Sequence, residues 1–147
     1  MKVLFIGDIM GEPGRRAIAR TLHKVVAQHA VDLVIGNGEN VAGGFGITPE
    51  LAHELYEMGL AVITTGNHAW DKKEILDFFP QEPRLLRPAN YPDGVPGRGS
   101  SRPGTHRDSA RICRSRAAHM LPFVPESTRG SCPRTWDGRR LCRRGPC

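Results

Sequence analysis

Residues 35–40 of the chain read IGNGEN, so that an apolar run stops at a glycine and a carboxylate, Glu39, then stands beside a carboxamide, Asn40. Two other apolar runs end in the same kind of turn, at residues 7–8 (GD) and at residues 66–68 (GNH). Short apolar runs that end at glycine are typical of buried strands. The sequence therefore predicts three strands, each followed by a turn that carries polar side chains.

Predicted strands and helices alternate along the chain. The three strands that end in polar turns lie at residues 2–6, 31–35 and 61–64, and a short fourth strand is predicted at residues 85–87. Apolar side chains at helical spacing predict helices at residues 13–29, 49–58 and 71–79. This alternation predicts an α/β fold with parallel strands joined by right-handed crossovers. Ligands of such sheets bind beyond the carboxyl ends of the strands, which is the edge where all three turns fall.

Local signals refine these elements. The first strand is apolar on both faces, which suits a parallel strand buried on both sides. Thr48 and Pro49 predict the N-cap and the first residue of the second helix. Residues 71–74 (DKKE) predict a capping box that opens the third helix.

Composition divides the chain near residue 100. The first 99 residues hold ten lysines and arginines against twelve acidic residues, whereas residues 100–147 hold eleven arginines against three acids, together with all four cysteines. The pI of about 9.6 therefore describes the second part, and it does not make the whole chain a nucleic-acid-binding protein. Because residues 100–147 have no sustained period of 2 or 3.6, we expect an irregular or disordered tail rich in Arg, Pro, Ser and Cys.

The abrupt change in composition also supports the hypothesis that residues from about 100 onward are translated out of frame. Reading the coding DNA in the other two frames would test it. Nucleic-acid binding by the tail is not favoured, because the tail has few interleaved aromatic residues. A zinc site is not favoured either, because the cysteines form no C-x-x-C pair.

No apolar run approaches the roughly 20 residues that a membrane-spanning helix needs. The apolar run near the N-terminus is too short for a signal peptide, and Asp8 follows it at once. The expected compartment is the cytoplasm, with no membrane partner.

Asp8, Glu39, Asn40 and Asn67 carry oxygen donors that adjacent strand ends can bring together. Divalent cations such as Mn²⁺, Mg²⁺ and Fe²⁺ take such ligands, and a shared carboxylate can hold two cations about 3.5–4 Å apart for phosphoryl transfer. His68 has an imidazole that could protonate a leaving alkoxide. Each residue alone also fits a turn, a helix cap or a hydrogen-bonded surface position, but the coincidence of three turns favours one shared site.

These motifs, with GNHAWD at residues 66–71 and RPANYP at residues 87–92, resemble those of the calcineurin-like metallophosphoesterases. The Glu39-Asn40 form of the second motif is similar to the bacterial branch of YmdB-like phosphodiesterases. The resemblance covers about residues 1–99. It implies the N-terminal half of a four-layer αββα sandwich with a dinuclear metal centre.

The resemblance also implies a role for each residue of the motifs. Asp8 and Asn40 would bind the first metal ion. Glu39 would bridge both ions, and Asn67 would bind the second. His68 would be the proton donor. The ions would be iron or manganese, with magnesium as an alternative, and a metal-bridging hydroxide would hydrolyse small phosphodiesters, with 2′,3′-cyclic nucleotides as the implied substrates.

The chain departs from the family after residue 99, where the family places its remaining histidine ligands, including a His-x-His pair. His106 and His119 are isolated and match no such motif. We therefore expect a truncated enzyme that is weakly active or inactive. The sequence leaves open a binding scaffold with a basic tail or a non-catalytic fragment, and it leaves a homo-oligomer open.

Overall fold

The computed structural model describes residues 1–92, 94–101, 111–113 and 123–124. Four strands and three helices alternate in the first part of the chain: β1 Val3–Asp8, α1 Gly11–His29, β2 Leu33–Asn37, α2 Pro49–Glu57, β3 Val62–Thr64, α3 Ile75–Phe78 and β4 Leu85–Leu86. The strands form one sheet in the order β1-β2-β3-β4, and every neighbouring pair is parallel. The predicted α/β fold with a parallel sheet is confirmed.

The register of the sheet brings the strand ends into one row. Phe5 pairs with Ile35, which in turn pairs with Val62. At the carboxyl ends, Asp8 pairs with Asn37 after an irregularity that follows Ile6. The turns that follow β1, β2 and β3 therefore leave the sheet at the same edge, as the sequence predicted.

One face of the sheet packs against the helices and forms the main core. Buried side chains of the helices meet those of the strands there, among them Ile18 and Leu22 of α1, Leu55 of α2, Val34 of β2 and Ile63 of β3. Burial of this apolar area is the main favourable term that holds the helices to the sheet. The opposite face has a smaller cluster of three buried side chains, Ile35, Val62 and Leu86.

The prediction that β1 is buried on both faces is wrong. β1 is the edge strand of its sheet, and Val3 and Phe5 remain 40% and 36% exposed. Only the alternate residues Leu4 and Ile6 pack against the main core. An edge position removes one neighbouring strand, so the outer side chains of β1 are covered less than those of β2 and β3.

Most helix boundaries lie close to the predicted ones. Thr48 caps α2 as expected, since its hydroxyl accepts a hydrogen bond from the Leu51 N–H at 3.4 Å, and Pro49 is the first helical residue. α1 begins at Gly11, two residues before the predicted start, and ends at His29 as expected. Ala30 then adopts a left-handed conformation with φ of 49°, and its N–H bonds to the last carbonyls of the helix.

The capping box predicted at residues 71–74 is wrong. α3 is a single turn that begins at Ile75, and the side chain of Glu74 makes no capping hydrogen bond. The Asp71 carboxylate instead contacts the His68 imidazole. Because that carboxylate already has a partner, it does not cap the helix, and the backbone before α3 forms turns in which the Ile75 N–H bonds to the Lys72 carbonyl.

Three short strands lie beyond the first sheet: β5 Ser100–Ser101, β6 Arg111–Cys113 and β7 Phe123–Val124. They form an antiparallel sheet in the order β5-β6-β7. The irregular tail predicted from the sequence thus contains some regular pairing, and its other residues lie outside the described part. In the described part, no helix has both the length and the apolar character of a membrane span.

Candidate active site

The turn after β1 is bonded directly to the turn after β2. The Asn40 amide donates a hydrogen bond to Asp8 Oδ1 at 2.7 Å, across 32 residues of sequence. Two backbone hydrogen bonds hold the same turns together, from the Ile9 N–H to the Asn37 carbonyl and from the Gly11 N–H to the Asn40 carbonyl. Asp8 and Asn40, two of the predicted site residues, are therefore neighbours at the carboxyl edge of the sheet.

Asn37 fixes the conformation of Glu39 from two sides. Its Oδ1 accepts a hydrogen bond from the Glu39 backbone N–H at 3.0 Å, which closes an Asx-turn. Its Nδ2 donates to Glu39 Oε1 at 3.2 Å. Since Asn37 is only 4% exposed and belongs to β2, the carboxylate of Glu39 is held by a side chain that the sheet itself fixes.

The turn after β3 meets this carboxylate through Gly66. A Cβ atom at position 66 would overlap the Glu39 carboxylate, so the carboxylate lies directly against the glycine backbone. The Gly66 carbonyl also accepts a hydrogen bond from the Tyr91 hydroxyl at 3.4 Å. A side chain at position 66 would therefore have to displace the Glu39 carboxylate.

Asn67 and His68 follow Gly66 in the same turn. Asn67 is exposed at the rim of the site. His68 is partly exposed, and its Nδ1 lies 2.6 Å from Asp71 Oδ2. The ring of Phe45, from the loop after β2, lies 6.3 Å from the imidazole between ring centres. The turn after β3 thus meets the turn after β2 through Gly66 and through the His68 ring. Among the contacts of the described residues, Asn67 makes none with Asp8, Glu39 or Asn40.

The residues present fit part of a cation site. Asn40 Oδ1 is buried and accepts no hydrogen bond from the residues that the structure describes, so this amide oxygen is available to a cation. The donors are the two carboxylates of Asp8 and Glu39 and the two amides of Asn40 and Asn67, an all-oxygen set that suits hard divalent ions. Within the described ranges, no group of three or more His, Cys, Asp or Glu side chains could hold a metal ion.

Sequence reasoning missed three contributors to this site. Asn37 lies two residues before Glu39, which is the spacing of an Asx-turn, and its role in holding the Glu39 carboxylate is the part that the sequence does not show. The DKKE pattern predicts a helix cap at Asp71, whereas its carboxylate contacts His68, three residues earlier. Phe45 lies in a glycine-rich loop whose packing no local pattern predicts.

Comparison with known proteins identifies the family of the chain. The family model described as YmdB-like protein matches residues 4–114, well over half of the chain, and the match includes β5 and β6. The chain is 48% identical over 99 residues to a 2′,3′-cyclic-nucleotide 2′-phosphodiesterase of Bacillus subtilis. That alignment covers 67% of this chain but only 38% of the Bacillus protein.

Two solved structures share the fold. A protein of Thermus thermophilus superposes with a TM-score of 0.71 at 41% identity, over 78% of this chain and 44% of that one. A phosphatase of Mycoplasma pneumoniae superposes with a TM-score of 0.73 at 32% identity, over 85% of this chain and 46% of that one. The chain thus spans less than half the length of each of these relatives. On its sequence match and its fold together, the chain belongs to the YmdB-like protein family.

Proposed function

We propose that the edge of the parallel sheet is the cation-binding part of a phosphodiesterase site, and that it acts on small phosphodiesters with 2′,3′-cyclic nucleotides as the preferred class. The observation that carries the proposal is the meeting of three turns, in which Asn40 bonds to Asp8 and Glu39 lies against Gly66. The phosphodiesterase name of the Bacillus relative supports the reaction class.

Asp8, Glu39, Asn40 and Asn67 are the residues that would hold divalent cations, with iron or manganese preferred and magnesium as an alternative. Bound cations would supply Lewis-acid stabilisation of the charge that develops on the phosphoryl oxygens. The buried Asn40 Oδ1 supports this assignment, because a buried amide oxygen without a hydrogen bond is costly unless something else occupies it. Asn37 would hold the Glu39 carboxylate in place.

His68 is the proposed proton donor. It stands next to Asn67 and is partly exposed, so a substrate can reach its ring. When the bond between phosphorus and the leaving oxygen breaks, its electron pair goes to that oxygen and a ring nitrogen gives it a proton. General acid catalysis of this kind contributes about 10²–10⁴-fold to a rate.

We expect this chain to turn over substrate weakly. The proposed ligands in the described part comprise two carboxylates and two neutral amides, without an imidazole, so they provide little charge and few strong donors for two divalent ions. A cytoplasmic location and the oligomeric state remain predictions from sequence.

Manganese binding and hydrolysis of bis-p-nitrophenyl phosphate test the proposal. The purified chain should bind Mn²⁺ in calorimetric titrations, and Glu39→Ala should weaken that binding at least about tenfold and abolish any turnover. Glu57→Ala is the matched control, because Glu57 is an exposed carboxylate at the end of α2, away from the sheet edge. Equal Mn²⁺ affinities for the wild type and Glu39→Ala would contradict the proposal and favour a scaffold role.

A further inference from the structure

Asp71 makes a short contact with His68 that the proposed ligand set does not explain. His68 Nδ1 and Asp71 Oδ2 are 2.6 Å apart, and the two side chains are 37% and 40% exposed. An ion pair exposed to this degree contributes only about 0–1 kcal/mol to stability. The contact therefore contributes little to stability, but it constrains the imidazole.

The contact determines which ring nitrogen carries the proton. An ionised carboxylate only accepts hydrogen bonds, so a carboxylate oxygen this close to Nδ1 requires a proton on Nδ1. In the neutral ring, Nε2 is then the nitrogen without a proton, and in the charged ring Nε2 carries the second one. Nε2 has no partner among the described residues, so it remains available to a substrate.

We propose that Asp71 is a positioning residue that fixes the Nδ1–H tautomer of His68 and so presents Nε2 to the leaving group. This inference rests on the proposed function for its catalytic consequence but not for the tautomer itself. In the proposed step, the proton leaves Nε2 for the leaving oxygen as that oxygen takes the electron pair of its bond to phosphorus. The ring that remains is neutral and still donates Nδ1–H to Asp71.

The loop after β2 supports Asp71 in this position. Gly46, with φ of 78°, lies so close to the segment after His68 that an added Cβ would come within 3.4 Å of Asp71 Cβ and 2.9 Å of Lys72 Cγ. The Gly46 N–H bonds to the Glu39 carbonyl at 2.6 Å. The same loop is thus bonded to the turn of the proposed cation ligands and lies close to Asp71.

The tautomer can be read directly by nitrogen-15 NMR of the histidine side chains, with His68→Ala used to assign the signals, at a pH where the ring is neutral. We expect wild-type His68 to hold its proton on Nδ1, and Asp71→Ala to shift it toward the Nε2–H form that free imidazole side chains favour. Asp77→Ala is the matched control, since Asp77 is an exposed acid on α3. An Nε2–H tautomer in the wild type, or an unchanged tautomer in Asp71→Ala, would overturn the proposal whether or not the chain is active.

Turnover provides a second measurement that separates positioning from folding. Asp71→Ala should lower kcat at least about tenfold for a substrate with an alkoxide leaving group, and much less for p-nitrophenyl esters, whose leaving group needs no proton. In a His68→Ala background, Asp71→Ala should have no further effect on kcat. An equal loss on both kinds of substrate would contradict a role through the proton. Absence of turnover by every form would count against the proposed function alone, because the NMR result decides the tautomer.

Discussion

The carboxylate of Glu39 occupies the space that a Cβ atom at Gly66 would fill. This relationship joins the turn after β2 to the turn after β3, and it predicts the effect of a single methyl group. Gly66→Ala should displace the carboxylate and reduce the affinity for Mn²⁺ at least about tenfold, as the loss of a supporting contact does in other metal sites. Calorimetric titration of the purified variant measures this.

Gly7→Ala is the control for that experiment. It adds the same methyl group at a glycine where nothing lies within 4 Å of the new atom and where φ is ordinary. Its Mn²⁺ affinity should stay within about threefold of the wild type, because no ligand has to move. If Gly66→Ala bound Mn²⁺ as tightly as Gly7→Ala, the contact between Gly66 and the Glu39 carboxylate would not be needed for cation binding.

Asn37→Ala should weaken cation binding without removing a ligand. The substitution deletes both hydrogen bonds that hold Glu39, to its backbone N–H and to Oε1. Loss of such outer contacts lowers metal affinity about 10–100-fold. Asn40→Ala provides the comparison, since it deletes a proposed ligand. A Mn²⁺ affinity of Asn37→Ala equal to that of the wild type would show that the Asx-turn is not needed to position the carboxylate.

The predictable parts of this protein are those that local chemistry determines. The parallel strands, the Thr48 cap and the three polar turns all follow from short segments, and each is present. The meeting of Asp8 with Asn40 follows from parallel pairing, because neighbouring strand ends share an edge. Predicting it requires only the topology and no knowledge of side-chain conformations.

The parts that were missed depend on contacts between distant segments or on competing partners. The exposure of Val3 and Phe5 depends on which strand lies at the edge of the sheet, and the sequence of β1 does not encode that. Asp71 fits the pattern of a helix cap, but in the folded turn its carboxylate contacts the His68 imidazole instead. The position of Phe45 beside His68 depends on how the glycine-rich loop folds back.

Tyr56→Phe should leave stability unchanged or raise it by up to about 1 kcal/mol. The Tyr56 hydroxyl is buried and has no hydrogen-bond partner in the described part of the chain, and burial raises its pKa. Removing an unsatisfied buried hydroxyl relieves its desolvation cost. The stacking of the Arg84 guanidinium, 3.9 Å from the ring centre, is kept. Urea unfolding of the two forms measures the difference.

Tyr91→Phe is the matched comparison for that variant. The Tyr91 hydroxyl donates to the Gly66 carbonyl at 3.4 Å, a long hydrogen bond, so its removal should cost roughly 0.5 kcal/mol. The changes in the free energy of unfolding caused by the two Tyr→Phe substitutions should therefore differ in sign, or at least in size. A clear loss of stability in Tyr56→Phe would mean that its hydroxyl has a bonding partner after all.

The ion pair of Glu82 and Arg84 predicts a pH dependence of stability. Glu82 is buried, and the hydrogen bond from Arg84, 2.7 Å from Nη2 to Oε2, lowers the pKa of its carboxyl below the ordinary 4.5. A carboxyl whose pKa is lower in the folded state stabilises the fold above the unfolded pKa, and this contribution is lost as the pH falls through the folded pKa. Glu82→Gln should thus be about 1 kcal/mol less stable than the wild type at pH 7.

That difference should shrink toward zero as the pH falls below 4.5, because the protonated wild-type side chain then resembles glutamine. Urea unfolding of both proteins at several pH values measures it. The Arg84 guanidinium is the main cause of the lowered pKa of Glu82, so Arg84→Ala should remove this pH-dependent difference in stability. In the Arg84→Ala background, Glu82→Gln should then lower the free energy of unfolding only slightly. A difference between the wild type and Glu82→Gln that stayed constant from pH 7 to pH 3 would show that packing of this side chain, and not its charge, stabilises the turn before β4.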